Sequence, residues 1–143
     1  MTIGIVSGYF NPLHQGHIEY FNGAKEQCDH LVVIVNNDNQ VFIKGSTPFM
    51  DENHRAFIVE NLKSVNEVMI SIDKDRTVCE SIRSVWSNFP CTKMKFFNSG
   101  DRVNNAESKE TELCKMLGIE YVNLPLPKKF SSSELVQTAA LEV

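Results

Sequence analysis

The sequence contains no long apolar run. No stretch approaches the roughly 18 residues that a bilayer-spanning helix requires, so a membrane protein built on such helices is not expected. Positive charge is not in excess either. Lys and Arg number 14 against 18 Asp and Glu, a formal net charge of -4, and a general nucleic-acid binder would carry a basic footprint instead. Any phosphate site must therefore be local. The four cysteines, Cys28, Cys79, Cys91 and Cys114, include no Cys-x-x-Cys pair, which argues against a zinc cluster or a redox dithiol and for reduced thiols in the cytoplasm. The N-terminus has no basic region followed by an apolar one, so no secretory signal is expected. Repeats, low-complexity tracts and linkers are also missing. With 143 residues, 42% of them hydrophobic, the chain suits one domain over residues 1–143 with a real core.

What the sequence does have is concentrated near its start. Ile3 to Val6 is an apolar run that reads as a buried strand, Gly8 to Pro12 is a tight turn, and Gly16-His17 opens a helix. Backbone N–H groups and the helix dipole attract anions at such an opening. His14 and His17 stand beside it, where imidazoles can donate hydrogen bonds to phosphoryl oxygens. A core histidine pair or a metal pair are the other readings, but a metal site needs a third ligand nearby and Asn11 supplies none.

Strand and helix patterns then alternate. Ile18, Phe21, Ala24 and Cys28 share one helix face, and Leu31 to Val35 is a nearly continuous apolar strand. Residues 36–48 are polar and aperiodic and are predicted to be a loop at the carboxyl end of that strand. Asp51 is a plausible N-cap for a helix carrying Ala56, Phe57, Ile58, Val59 and Leu62, and Glu67 to Ile72 is a third strand. Thr77-Val-Cys-Glu80 has the form of a capping box for a helix through Ile82, Val85 and Trp86, with Pro90 beyond its end. Met94 to Phe97 is a fourth strand. A helix ending near Leu117, with Gly118 just past it, leads to a fifth strand, Glu120 to Leu124, and a last helix is predicted from Ser131 or Ser132. Five strands alternating with helices predict an α/β domain with a doubly wound parallel sheet.

The segment Gly8-Tyr-Phe-Asn-Pro-Leu-His14-Gln-Gly16-His17 resembles the Gly-x-Phe-Asp-x-x-His-x-Gly-His signature of the cytidylyltransferase-like nucleotidyltransferases. Asn11 replaces the usual aspartate. The resemblance implies a Rossmann-like nucleotidyltransferase fold and transfer of a nucleoside monophosphate to a phosphorylated acceptor, with release of pyrophosphate. It makes Gly8, Tyr9, Phe10, Asn11 and Gly16 nucleotide-binding residues and His14, His17 and Lys44 catalytic. It further implies that Lys44 contacts the triphosphate or the acceptor phosphate, that Arg55 lies near the acceptor, and that Gly100 and Asp101 lie close to the nucleotide. A turn is the plain alternative for the last two. Phe130-Ser-Ser-Ser-Glu-Leu135 resembles the family's second signature, and Ser131, Ser132 and Ser133 at a helix start form a second anion cradle. Ser131 with Glu134 also forms a capping box, and the two roles are compatible. The family arginine upstream has no counterpart here, where Leu126 stands, so Lys128 or Lys129 would supply the charge.

A phosphate monoester is already largely a dianion at neutral pH, so the implied reaction needs no general base. The site must align two polyanions and stabilise charge on the α-phosphate and the leaving pyrophosphate. Mg²⁺ would enter with the nucleoside triphosphate. CTP with a phosphorylated alcohol is the first choice of substrates. The alternatives are adenylyl transfer from ATP to a sugar phosphate and a nucleotide-binding module with impaired catalysis, the latter suggested by Asn11. Homodimer formation is a further implication of the resemblance. A packed turn with no nucleotide affinity is the purely structural reading of the same residues.

Overall fold

The computed structural model describes residues 1–90, 92–99 and 108–124. Their elements run β1 (Thr2–Gly8), α1 (Gln15–Lys25), β2 (His30–Val35), α2 (Asp38–Ile43), α3 (Glu52–Glu60), β3 (Glu67–Ile70), α4 (Cys79–Asn88), β4 (Lys93–Ser99), α5 (Lys109–Leu117) and β5 (Glu120–Leu124). All strands are parallel, in the order β3-β2-β1-β4-β5. The chain order reverses at β1, which pairs with both β2 and β4. A doubly wound sheet opens a crevice at the carboxyl ends of its strands at such a reversal.

Period-two alternation on the central strands builds a core on each side of the sheet. Ile3, Ile5, Val32 and Ile34 pack with Ile82, Val85, Leu113 and Cys114 from α4 and α5. Val6, Leu31, Val33 and Val35 pack on the other side with Phe21, Ala24, Ala56 and Val59 from α1 and α3. Gly4 lies on β1 beneath this second layer, where a Cβ would stand 2.6 Å from the Cys28 Sγ, so the strand and that thiol can approach only because the residue is glycine. Among the described residues no helix is long and apolar enough to cross a membrane.

Several local expectations hold. Asp51 caps α3, its Oδ1 accepting from the His54 N–H at 2.8 Å, and Gly118 ends α5 in the left-handed region at φ 74°. Others change. Part of the region expected as loop is the helix α2. Its cap is reciprocal: Asn37 Oδ1 accepts from the Gln40 N–H at 2.9 Å and Gln40 Oε1 accepts from the Asn37 N–H at 3.0 Å. The fully buried Gln40 then donates Nε2 to the carbonyls of Asp75 and Thr77 at 2.7 and 2.8 Å. A six-residue helix held by such tertiary bonds shows no hydrophobic period.

The start of α4 is also rebuilt. Thr77 gives its hydroxyl to Asp75 Oδ1 at 2.7 Å, and the N-cap position, Val78, makes no side-chain bond. The buried Asp73 accepts instead from the Glu80 and Ser81 N–H groups at 2.8 and 2.9 Å and from the Ser81 hydroxyl at 2.6 Å. Trp86, expected on the buried face, is exposed, and β3 stops at Ile70. The helix expected from Ser131 or Ser132 lies outside the described residues.

Candidate nucleotide site

The carboxyl end of β1 feeds a loop whose conformation is set by Phe10. Phe10 is buried, takes φ 49°, and lays its ring edge-on to His17 at 5.0 Å and to Phe21 at 5.3 Å between centroids. Positive φ strains a residue bearing a Cβ, and burial of this ring between α1 and the strand end offsets the strain. Gly8 makes room for it. A Cβ there would sit 2.7 Å from the Phe10 ring.

His14 caps α1, with its Nδ1 accepting the Gly16 N–H at 3.1 Å, while His17 Nδ1 accepts the His14 N–H at 3.1 Å. The rings stack, with centroids 3.8 Å apart and planes inclined by 26°. Each Nδ1 is thus an acceptor, which puts the proton of each neutral imidazole on Nε2 and makes that atom a donor. Burial holds His14 below the usual histidine range. His17 is lowered to about 3, first by burial and then by the charge that His14 would carry beside it. Two neutral N–H donors therefore stand at the start of α1 at pH 7. The first turn of that helix contains no acidic residue to neutralise its dipole, so the position suits an anion.

Three further expected residues meet this loop. Asn11 donates Nδ2 to the Thr47 carbonyl at 2.9 Å and accepts the Phe49 N–H on Oδ1 at 2.5 Å, which fixes both its amide orientation and the segment after α2. Lys44, at the C-cap of α2, carries its Nζ 4.1 Å from the centroid of the Tyr9 ring. Arg55 is nearly fully buried, and its guanidinium is directed at the protein itself. Nη1 donates to the carbonyls of Tyr9 and Asn36, both at 2.7 Å, Nε donates to the Met50 carbonyl at 2.9 Å, and Nη2 meets Asp38 Oδ1 at 2.7 Å. The structure thus brings together Gly8, Tyr9, Phe10, Asn11, His14, Gly16, His17 and Lys44, and places Arg55 as a brace beneath them. Asp38, Thr47 and Phe49 were not anticipated, because nothing local in the sequence marks a loop as the partner of a distant side chain. Gly100, Asp101, Lys128, Lys129, Ser131, Ser132 and Ser133 lie outside the described residues.

The cytidylyltransferase-like family profile matches residues 5–137, nearly the whole chain and both of its signature segments. The chain belongs to this family of nucleotidyltransferases. It is 31% identical over 141 residues, 97% of its length, to the bifunctional protein HldE of Nitrobacter hamburgensis, covering 27% of that protein. It is 36% identical over 78 residues to the FAD synthase of Thermoplasma acidophilum, covering 53% of this chain and 55% of that one. This family member therefore spans from about a quarter to just over half the length of these curated relatives. Among solved structures, a lipopolysaccharide core biosynthesis protein from Thermoplasma volcanium superposes with a TM-score of 0.72 at 23% identity, over 89% of this chain and 98% of that one. A bifunctional NMN adenylyltransferase/ADP ribose pyrophosphatase from Francisella tularensis superposes with a TM-score of 0.74 at 13% identity, over 99% of this chain and 43% of that one. Both likenesses bear on the fold, and they agree with the Rossmann-like doubly wound sheet.

Proposed function

We propose that this domain transfers a nucleoside monophosphate from a nucleoside triphosphate to a small phosphorylated acceptor, releasing pyrophosphate. The observation that carries the reading is the reciprocal cap of His14 and His17, which sets two neutral imidazole donors at an anion-attracting helix start. Such donors act on the charge that grows on the phosphoryl oxygens in the transition state, and a fixed geometry spares the site any reorganisation. Lys44 adds a cation, 4.1 Å from the centroid of the Tyr9 ring. Arg55 supports the site through the Tyr9 carbonyl instead of meeting the acceptor directly. Gly100, Asp101, Lys129 and the serines 131 to 133 belong to the same proposal as the nucleotide-facing residues of the later motifs.

Among the described residues no three His, Cys, Asp or Glu side chains converge on a metal position. Mg²⁺ in this reading arrives as part of the nucleotide substrate, where it neutralises phosphate charge. The nucleotide is CTP or ATP. The family name and the signature favour CTP, and the names of two similar proteins, FAD synthase and NMN adenylyltransferase, favour ATP. The acceptor is a phosphorylated alcohol or sugar.

The test is thermal unfolding with Mg²⁺ and each of CTP, ATP, GTP and UTP, followed by pyrophosphate release with phosphorylated acceptors. A ligand at 100 times its dissociation constant adds about 2.7 kcal/mol, a rise of several degrees in a domain of this size. Selective stabilisation names the donor, and His17→Ala then lowers turnover about 10²- to 10³-fold. No shift with any nucleotide overturns the proposal. Binding without turnover against a broad acceptor panel leaves the impaired module. Homodimer formation, part of the same reading, is checked by the mass in solution.

A further inference from the structure

Lys44 is exposed, yet its ammonium lies 4.1 Å from the centroid of the Tyr9 ring, well inside the roughly 6 Å over which a ring quadrupole holds a cation. Both ends of this contact are anchored through the backbone. The Tyr9 carbonyl accepts from Arg55 Nη1 at 2.7 Å, and the next residue, Phe10, is buried. The Lys44 N–H donates to the Gln40 carbonyl at 3.0 Å at the end of α2, and beyond it Asn11 holds the chain at Thr47 and Phe49. The long lysine stem is thereby directed back over the signature loop.

We propose that Tyr9 is a positioning residue of Lys44, holding its ammonium beside the loop where the polyphosphate of a bound nucleotide is met. A ring face restrains a cation by a contact weak enough to be exchanged for the stronger hold of a phosphate. The inference rests on the nucleotide-binding reading above.

The experiment is a double-mutant cycle read by calorimetric affinity for Mg²⁺·ATP and Mg²⁺·CTP, with KM and kcat measured wherever there is turnover. Tyr9→Leu is expected to weaken nucleotide affinity about two- to fivefold, in KM and not in kcat. Tyr9→Phe, which keeps the ring, restores it. In a Lys44→Gln background, Tyr9→Leu makes no further difference. A loss that persists in that background, or that Phe does not restore, overturns the proposal, because Tyr9 then acts by packing or through its hydroxyl. A wild type that binds nucleotide and is unaffected by Tyr9→Leu overturns it alone, whereas a wild type that binds no nucleotide overturns the proposed function with it.

Discussion

The imidazoles of His14 and His17 stack 3.8 Å apart because each accepts a backbone N–H at the start of α1. That pairing makes stability depend on pH. With a folded-state value of about 3 against an ordinary 6.5, His17 takes up a proton far more readily in the unfolded chain. Its contribution to stability is complete above pH 6.5 and is lost as the pH falls toward 3, by up to about 1.4 kcal/mol per unit. His14, lowered in the same direction, adds to the slope. Urea unfolding between pH 7.5 and 5 checks this. A His17→Asn variant should show a flatter profile, and a slope equal to that of the wild type would contradict the burial of a neutral His17.

Asn11 both donates and accepts, and an aspartate can only accept at neutral pH. Asn11→Asp should keep the Phe49 N–H but set a carboxylate oxygen against the Thr47 carbonyl, at a cost of about 1 kcal/mol. The expected outcome is a lower thermal midpoint and no gain in turnover. Faster catalysis by the variant would show that the amide impairs the site.

Removal of the Arg55 guanidinium takes the donor from three carbonyls and one carboxylate at once. Arg55→Met should cost about 3 kcal/mol in urea unfolding. Arg55→Lys should recover little of this, since a single ammonium cannot span partners that diverge around a planar fork. Asp38→Ala leaves the carbonyl bonds in place and should cost under about 1.5 kcal/mol. Equal losses for Arg55→Met and Asp38→Ala would mean that the ion pair, not the carbonyl brace, is the important contact.

Gly8→Ala introduces a methyl group 2.7 Å from the Phe10 ring, which must then shift against His17. A loss of about 1 to 3 kcal/mol is expected, as for other overpacked sites, with turnover falling further than stability alone explains. A crystal structure of the variant with Phe10 and His17 unmoved, together with normal turnover, would contradict the coupling.

The sequence by itself determined the class of fold and indicated the family. The apolar runs of β1 and β2, the alternation of strand and helix, the Asp51 cap and the Gly118 terminus are local signals, each set by residues a few positions apart. The signature segment is equally local, and its resemblance was enough to indicate the family. Only the tertiary structure decided what several of these side chains do. Arg55 finds Tyr9 46 positions away and Asn11 finds Thr47 36 positions away, while α2 exists because Gln40 reaches the carbonyls of Asp75 and Thr77. No residue pattern near Arg55 distinguishes a surface arginine from one buried among three carbonyl oxygens and a carboxylate. Such a role is created when the strands pair and bring distant loops to the same end of the sheet, because a buried donor must then be satisfied by whatever acceptors the packing supplies.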